Sequence, residues 1–290
     1  AVIIGTDEDK LSAFPSWISV DDARSVAGIL SHRIHGGPGD RMKLVGITGT
    51  NGKTSCTYIL ESIARAAGAR PGVIGTVSYR FGGREIPASH TTPDAVSLHK
   101  LLATMEESDC DLVFMEVSSH AISQDRVKAC QWDTVAATNL SQDHLDYHQS
   151  LEEYGQVKAR LFSEGIEESR KPTSACINLD DEWAKNLDVP VGTEILSFSI
   201  EDRRASVFAL KQSCSGEQIR ATLSSPIGEI KIDTSLQGRH NLSNILLSVS
   251  VALALGYDRE TIERGVAGLD AIPGRMETVR NKLGINIWVD

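Results

Sequence analysis

No apolar run in this chain approaches the roughly 20 residues that a bilayer-spanning helix needs. With 29 Lys and Arg against 39 Asp and Glu, the chain also lacks the basic excess that gives a non-specific grip on nucleic acid or an anionic membrane surface. Neither nucleic acid nor membrane insertion is therefore expected, and any phosphate-bearing ligand must be held by locally placed groups. No C-x-x-C pair occurs among the five scattered cysteines Cys56, Cys110, Cys130, Cys176 and Cys214, which argues against a disulfide framework or zinc site and for a reducing cytoplasm. An initiator Met is missing from the opening AVIIGTDEDK, as is the charged and then apolar layout of a signal peptide. The last residue, Asp290, follows the strand-like run 285–289 directly, and both ends are read as cuts in a longer protein.

What is present is the mixture of a globular α/β chain, 41% hydrophobic and 23% charged. From Lys43 onward, short β-branched runs alternate with longer helical ones, which predicts a mostly parallel sheet flanked by helices. Strands are expected at 44–48, 72–74, 112–117, 134–138 and 175–178, and helices at 54–67, 95–107, 151–163 and 181–187. Phe81, Gly82, Gly83 and Arg84 signal a hairpin, and 195–234 reads as a small antiparallel annex with turns at 213–216 and 225–228. Helices at 241–255 and 259–267 complete the pattern, the second preceded by Gly256, Tyr257 and Asp258 as stop and cap.

The strongest local signal is Gly46-Ile-Thr-Gly49-Thr50-Asn51-Gly52-Lys53-Thr54, set between a predicted strand and a predicted helix. Glycines let backbone N–H groups wrap phosphates while the following helix presents its positive end, so this is a phosphate-loop (P-loop) context. Lys53 is placed to reach the β- and γ-phosphates and the Thr54 hydroxyl to bind Mg²⁺. The strict spacing puts a glycine where this chain has Ile47, and a plain Gly-rich strand-to-helix turn is the bland alternative. A GTPase would carry an N-K-x-D motif, which is absent, so ATP is favoured.

Glu116 closes the apolar run Leu112-Val-Phe-Met115, at the sheet edge where open α/β folds bind ligands. Thr138-Asn-Leu-Ser-Gln-Asp-His144-Leu-Asp146 again follows a strand. A carboxylate and an imidazole facing one pocket could hold a second Mg²⁺. Taken alone, Glu116 could serve a helix cap and His144 a turn.

The phosphate loop, Glu116-Val-Ser118-Ser-His120, the Thr138 to Asp146 stretch, Tyr154-Gly-Gln-Val-Lys158 and Gly238-Arg-His-Asn241-Leu-Ser-Asn244 resemble, in that order, the motifs of the Mur ligases, most closely of the MurE type, and His90-Thr91-Thr92-Pro93 and Gly274-Arg275-Met-Glu277 are also similar to MurE segments. The resemblance runs over nearly the whole chain. It implies that Lys158 is the lysine that becomes carbamylated; apart from the family it reads as a solvated helix lysine. It places Asn241 and Asn244 near the adenine, although either could cap its helix, and Arg275 near the nucleotide. Thr91, Thr92, Ser118, Arg126 and, in the same stretch, Gln124 fall at positions that bind the acceptor, a UDP-N-acetylmuramoyl dipeptide.

The implied activity joins the acceptor's D-glutamyl carboxylate to an amino acid through an acyl phosphate, using ATP and two Mg²⁺. The protein is expected to be a cytoplasmic monomer. Residues 1–42 look like the tail of an N-terminal uridine-nucleotide domain, 43–274 like the central ATPase domain, and 275–290 like the start of a truncated C-terminal domain. Alternatives are a folylpolyglutamate or cyanophycin synthetase-like ligase, or an ATP-binding fragment without complete activity.

Overall fold

Alternation along the apolar strands decides which face of the sheet each side chain serves. The computed structural model describes residues 3–11, 13, 16–143, 147–215, 218–275, 277–278 and 288–289. The chain opens on β1 (Ile3–Gly5), α1 (Glu8–Leu11) and β2 (Trp17–Ser19), with β1 and β2 paired in parallel apart from the main sheet. Helices α2 (Ala23–Ile34) and α3 (Pro38–Arg41) lead into β3 (Lys43–Thr48). Then come α4 (Lys53–Ala66), β4 (Pro71–Ile74), the hairpin β5 (Ser78–Phe81) and β6 (Arg84–Pro87), α5 (Ala95–Glu107), β7 (Leu112–Glu116), α6 (Ser119–Ser123) and β8 (Thr134–Ala137). The second half adds α7 (Leu151–Ala159), α8 (Glu164–Glu167), β9 (Ser174–Asn178), β10 (Glu194–Ser199), β11 (Val207–Cys214), β12 (Ile219–Ser225), β13 (Gly228–Thr234), α9 (Gly238–Ala254) and α10 (Arg259–Ala267).

Strands β3 to β13 form one sheet in the order β13-β12-β11-β10-β9-β8-β3-β7-β4-β5-β6. Neighbours from β11 through β4 are parallel, and the pairs at both edges are antiparallel. Val45, Ile47, Leu112, Phe114, Ala136 and Cys176 face one side, where α4 lays down Cys56, Ile59, Leu60 and Ile63 at helical spacing. Leu44, Val113, Met115, Val135 and Ala175 face the other, against Leu98, Leu102 and Trp132. Both faces are thus covered, as a parallel sheet requires. Gly46 belongs to this packing and not to the phosphate loop. It lies in β3, where a Cβ would come within 2.9 Å of the Trp132 ring.

Three expectations about elements are corrected in detail. The 195–234 segment does add an antiparallel annex to the sheet, but only β11–β13 are antiparallel, because β10 pairs with β9 and β11 in parallel. The helix expected at 151–163 stops at Ala159, and the break lets the consecutive Leu161 and Phe162 both enter the core. The stretch 181–187 holds only a short 3-10 turn at Ala184–Asn186, at whose start the Asp181 carboxylate accepts from the N–H groups of Ala184 (2.9 Å) and Leu140 (3.0 Å).

Where α2 packs on α5, the buried His32 and His99 meet edge to face with ring centroids 5.2 Å apart. His99 Nε2 donates to the Lys128 carbonyl at 2.9 Å, so its Nδ1 is left without a hydrogen bond, as is Nδ1 of His32, whose Nε2 lies 3.5 Å from Asp40 Oδ1. Burial pushes the His99 pKa down from its ordinary 6.5 to about 4; the Lys128 carbonyl opposes this, and His32 and His35 add to it. Burial also lowers His32, against the attraction of Asp40 and with further repulsion from Arg170 and Arg33. In both cases the unfolded chain binds protons that the folded one refuses, so stability is full above about 6.5 and is lost as pH falls toward 4. The melting temperature should therefore drop between pH 7 and pH 5, and His99→Gln, which keeps a donor for Lys128, should flatten that drop. An unchanged slope in the variant would assign the acid sensitivity to other groups.

Candidate nucleotide and acceptor site

The turn after β3 can be made only with glycine at two points. Gly49 has φ 136° and Gly52 φ 90°, and a Cβ would overlap the Thr138 hydroxyl at the first and the Asn244 carboxamide at the second. Between them the backbone is pinned to the loop after β8: Thr50 N donates to Asn139 O at 2.7 Å and Asn51 N to Asn139 Oδ1 at 3.1 Å, while Thr50 Oγ1 donates to Ser141 O at 3.1 Å. Four of the six described helices longer than five residues carry a side-chain N-cap from Asp22, Asp94, Ser150 or Asp258. The exceptions are α4 and α9. Residues from the first turns of both line the same cavity of about 430 Å³, so free N–H groups and positive helix ends converge where an anion would sit.

Glu116 enters this cavity from the end of β7. It is 1% exposed, and its carboxylate accepts from Thr54 Oγ1, Thr76 Oγ1 and Thr76 N, each at 2.9 Å. The helix-cap alternative is thereby excluded for Glu116, whose acceptors are used by a P-loop hydroxyl and a strand-end residue. Hydroxyl and carboxylate oxygens together are the hard donor set that suits Mg²⁺, which commonly takes only one or two protein ligands. Among the described residues no group of three His, Cys, Asp or Glu gathers as a metal cluster. Lys53, Thr54, Glu116, Asn241, Asn244 and Arg275 all line the cavity, as do Thr50, Asn51 and Gly52. Asn241 and Asn244 lie inside α9 and do not cap it: Asn241 Nδ2 donates to Gln237 O at 2.8 Å and Asn244 Nδ2 to Asn241 Oδ1 at 3.1 Å.

Two lysines share the Gly49 carbonyl. Lys53 Nζ donates to it at 2.8 Å and to Thr50 O at 2.8 Å, while Lys158 Nζ donates to it at 2.9 Å from α7. Lys158 is 1% exposed and lies behind the loop, its amine 4.5 Å from the centre of the Tyr154 ring. This overturns the solvated-lysine alternative. Burial holds its pKa well below the usual lysine range, the nearby Lys53 lowers it further, and Asp143 opposes both. Lys53 is lowered as well, first by desolvation, against the attraction of Glu116 and Asp143.

The expected acceptor residues form a second cluster on the far side of Glu116. Thr92 Oγ1 donates to Glu116 O at 2.7 Å and accepts from Ser118 N at 3.2 Å. Arg126 donates to Thr92 O at 2.9 Å and grips Gln124 Oε1 from Nε and Nη2 at 3.0 and 2.7 Å. Thr91 Oγ1 lies 3.1 Å from Thr76 Oγ1. His144 lies outside the described residues. Sequence reasoning passed over Thr76, Asn139, Asp143 and Tyr154. Asn139 and Asp143 stand inside a stretch already singled out and Tyr154 is one helical turn before Lys158, so their positions were signalled even though their partners were not. Thr76 had only its place after the end of β4.

An open, mostly parallel sheet with a glycine loop and an uncapped helix at the end of its central strand defines an α/β domain of the P-loop class. The sequence pattern of the Mur ligase middle domain matches residues 47–252. The chain belongs to that family. It is 39% identical over 290 residues to the UDP-N-acetylmuramoyl-L-alanyl-D-glutamate--2,6-diaminopimelate ligase of Geobacter metallireducens, covering 99% of this chain and 57% of that protein. The protein of the same name from Geobacillus kaustophilus is 37% identical, with 98% and 58% covered. The chain thus spans a little over half the length of these curated relatives. A solved structure of a ligase of this name superposes with a TM-score of 0.83 at 26% identity, over 97% of this chain and 57% of that one. A Mycobacterium tuberculosis folylpolyglutamate synthase superposes with a TM-score of 0.75 at 18% identity over 92% of this chain and 66% of that one, a likeness of fold alone.

Gly52→Ala tests the loop geometry. The positive φ and the overlap with Asn244 should cost about 1–3 kcal/mol and displace the start of α4. Thermal melting should show the loss, and calorimetric titration with a non-hydrolysable ATP analogue should show weakened binding. Wild-type affinity would mean that the nucleotide is held elsewhere.

Proposed function

We propose that this chain is the carboxylate-activating part of an ATP-dependent amide ligase that extends UDP-N-acetylmuramoyl-L-alanyl-D-glutamate by an amino acid. The observation that carries the reading is the Thr54–Glu116 hydrogen bond at the open end of α4, in one cavity with Lys53 and beside the Thr92–Ser118–Arg126 cluster. The relatives are named for 2,6-diaminopimelate, and we infer the same amine donor. The acceptor carboxylate attacks the γ-phosphate of ATP, releasing ADP and leaving an acyl phosphate; the incoming amine then displaces phosphate to form the amide.

In that reaction the protein mainly positions reactants and neutralises charge. Lys53 swings its ammonium from the loop carbonyls to the β- and γ-phosphates, which rest on the open N-terminus of α4 after Gly49 and Gly52, while Asn139 keeps the Thr50 and Asn51 N–H groups and so the shape of the loop. Thr54 and Glu116 would hold Mg²⁺, which would offset the phosphate charge. Asn241, Asn244 and Arg275 face the rest of the nucleotide, and Arg126 with Gln124, Thr91, Thr92 and Ser118 receives the acceptor. His144 is retained as a second-metal ligand on the resemblance alone.

Lys158 gains a reason for its chemistry. A buried amine beside another lysine loses its proton readily, and a neutral amine can attack CO₂; an N–C bond forms and a proton leaves, giving a carbamate. That exchange replaces a disfavoured cation with an anion able to assist a second Mg²⁺. Residues 1–42 are read as the tail of a uridine-nucleotide domain, with which the separate β1–β2 ladder agrees, 43–274 as the ATPase domain and 275–290 as the start of a third.

In the full-length protein, Lys53→Ala should abolish ADP release that depends on the muramoyl dipeptide, and unchanged release would remove Lys53 from the reaction. A folate acceptor should stimulate no release; stimulation by folate alone would turn the assignment toward a folylpolyglutamate ligase. Lys158→Ala should lose activity that added short-chain carboxylates partly restore. Loss without such rescue would make Lys158 structural.

A further inference from the structure

Thr76 stands directly after Gly75 at the end of β4 and belongs to none of the segments that resemble family motifs. It nevertheless holds both oxygens of Glu116, with its backbone N–H on Oε1 and its hydroxyl on Oε2, each at 2.9 Å. Gly75 makes the approach possible, because a Cβ there would overlap Glu116 Oε1. The same Oε2 accepts from Thr54 at 2.9 Å. On its other side, Thr76 Oγ1 is 3.1 Å from Thr91 Oγ1.

Proton counting gives these contacts a direction. A threonine hydroxyl has one hydrogen to donate, and an ionised carboxylate only accepts. Thr76 therefore donates its hydrogen bond to Glu116, and the short contact with Thr91 must be Thr91 donating to Thr76. Hydroxyls run from Thr91 through Thr76 to Glu116, which Thr54 meets from the P-loop. One end of this chain lies at the expected acceptor cluster and the other at the expected metal and phosphate site.

Resting on the reading of Glu116 and Thr91 given above, we propose that Thr76 is a positioning residue that couples acceptor binding to the metal-binding carboxylate. Thr91 keeps its lone pairs outward, as an acceptor for a donor on the substrate, while Thr76 accepts its hydrogen bond. When the Thr54 hydroxyl turns its oxygen to a cation, Thr76 is the remaining side chain that fixes the orientation of Glu116. Loss of its hydroxyl should thus be felt at both ends.

The test uses Thr76→Val, which keeps the shape, and Thr76→Ser, which keeps the hydroxyl, in the full-length protein. Removing one hydrogen bond to a charged group should raise the half-saturating Mg²⁺ concentration about tenfold, with a rise of similar size in the KM for the muramoyl dipeptide nucleotide. Thr76→Ser should restore both to within about twofold of wild type. The effects of Thr76→Val and Thr91→Val on that KM should be non-additive, because they break one chain. A lowered melting temperature with Mg²⁺ dependence and KM unchanged would overturn the proposal, as would additive effects or no rescue by serine. If wild-type protein shows no turnover with the muramoyl acceptor, the functional reading fails separately. Mg²⁺-dependent binding of a non-hydrolysable ATP analogue, followed by calorimetry, then decides the metal arm: a shift in Thr76→Val reversed in Thr76→Ser supports it, and no shift overturns it.

Discussion

Two lysine amines compete for one carbonyl oxygen, and the site is organised around that conflict. Lys53 comes from the first turn of α4 and Lys158 from the last turn of α7, and both donate to Gly49 O. Two like charges so placed repel by on the order of 3 kcal/mol at the effective dielectric of a partly buried site. Lys158, the more deeply buried, is the one whose cationic form is disfavoured most. Relief comes by deprotonation, by conversion of the amine to an anion, or by transfer of Lys53 to a phosphate. Each of these is a state that the proposed reaction cycle needs, so an arrangement that is poor for stability is apt for a site that binds polyphosphate.

The conflict is sustained because neither lysine can move away cheaply. Lys158 is enclosed by Tyr154, whose neighbour Gly155 packs within 3.0 Å of the Leu140 and Trp183 side chains at the position of a Cβ, and Trp183 Nε1 donates to Gly155 O at 3.0 Å. Lys53 is held through α4, whose buried face docks on β3 and β7 and whose Ser62 hydroxyl donates to Gly265 O on α10 at 2.6 Å. The loop between them is fixed by Asn139 from the end of β8. Strain at the site is therefore carried by packing that reaches across both faces of the sheet.

The parts of this architecture that were readable in advance share a local cause. The P-loop is a short local run in which Gly49 and Gly52 act through their own backbone and Lys53 and Thr54 through side chains on the first turn that follows, and Glu116 is marked by the apolar strand it ends. Asn241 and Asn244 recur at helical spacing. Lys158 is different: nothing in Tyr154-Gly-Gln-Val-Lys158 says that the amine is buried, because the carbonyl it donates to is that of Gly49, 109 residues away in sequence. Family resemblance supplied that residue where pattern could not. Thr76 was invisible for the same reason, since its partners are 40 and 15 residues distant and a threonine after a strand is ordinary. In 181–187 the cap was legible, since Asp181 accepts from Ala184 N, while its second bond, to Leu140 N, is a tertiary contact that no local propensity reports.

Net charge completes the physical picture. A chain of charge −10 repels nucleotides at long range, so attraction must come from groups within about a Debye length of the phosphates, some 8–10 Å. The structure gathers them there: Lys53, Arg275 and the open ends of α4 and α9 all face one cavity, with Lys158 one carbonyl behind it. Glu116 runs counter to this, being a carboxylate set where phosphates would bind. Its three hydrogen-bond donors fix its orientation, and under the proposed function a carboxylate so fixed would favour a nucleotide that arrives with a divalent cation over one that arrives bare. Discrimination for the metal-bearing nucleotide would then rest on the same carboxylate that Thr76 orients.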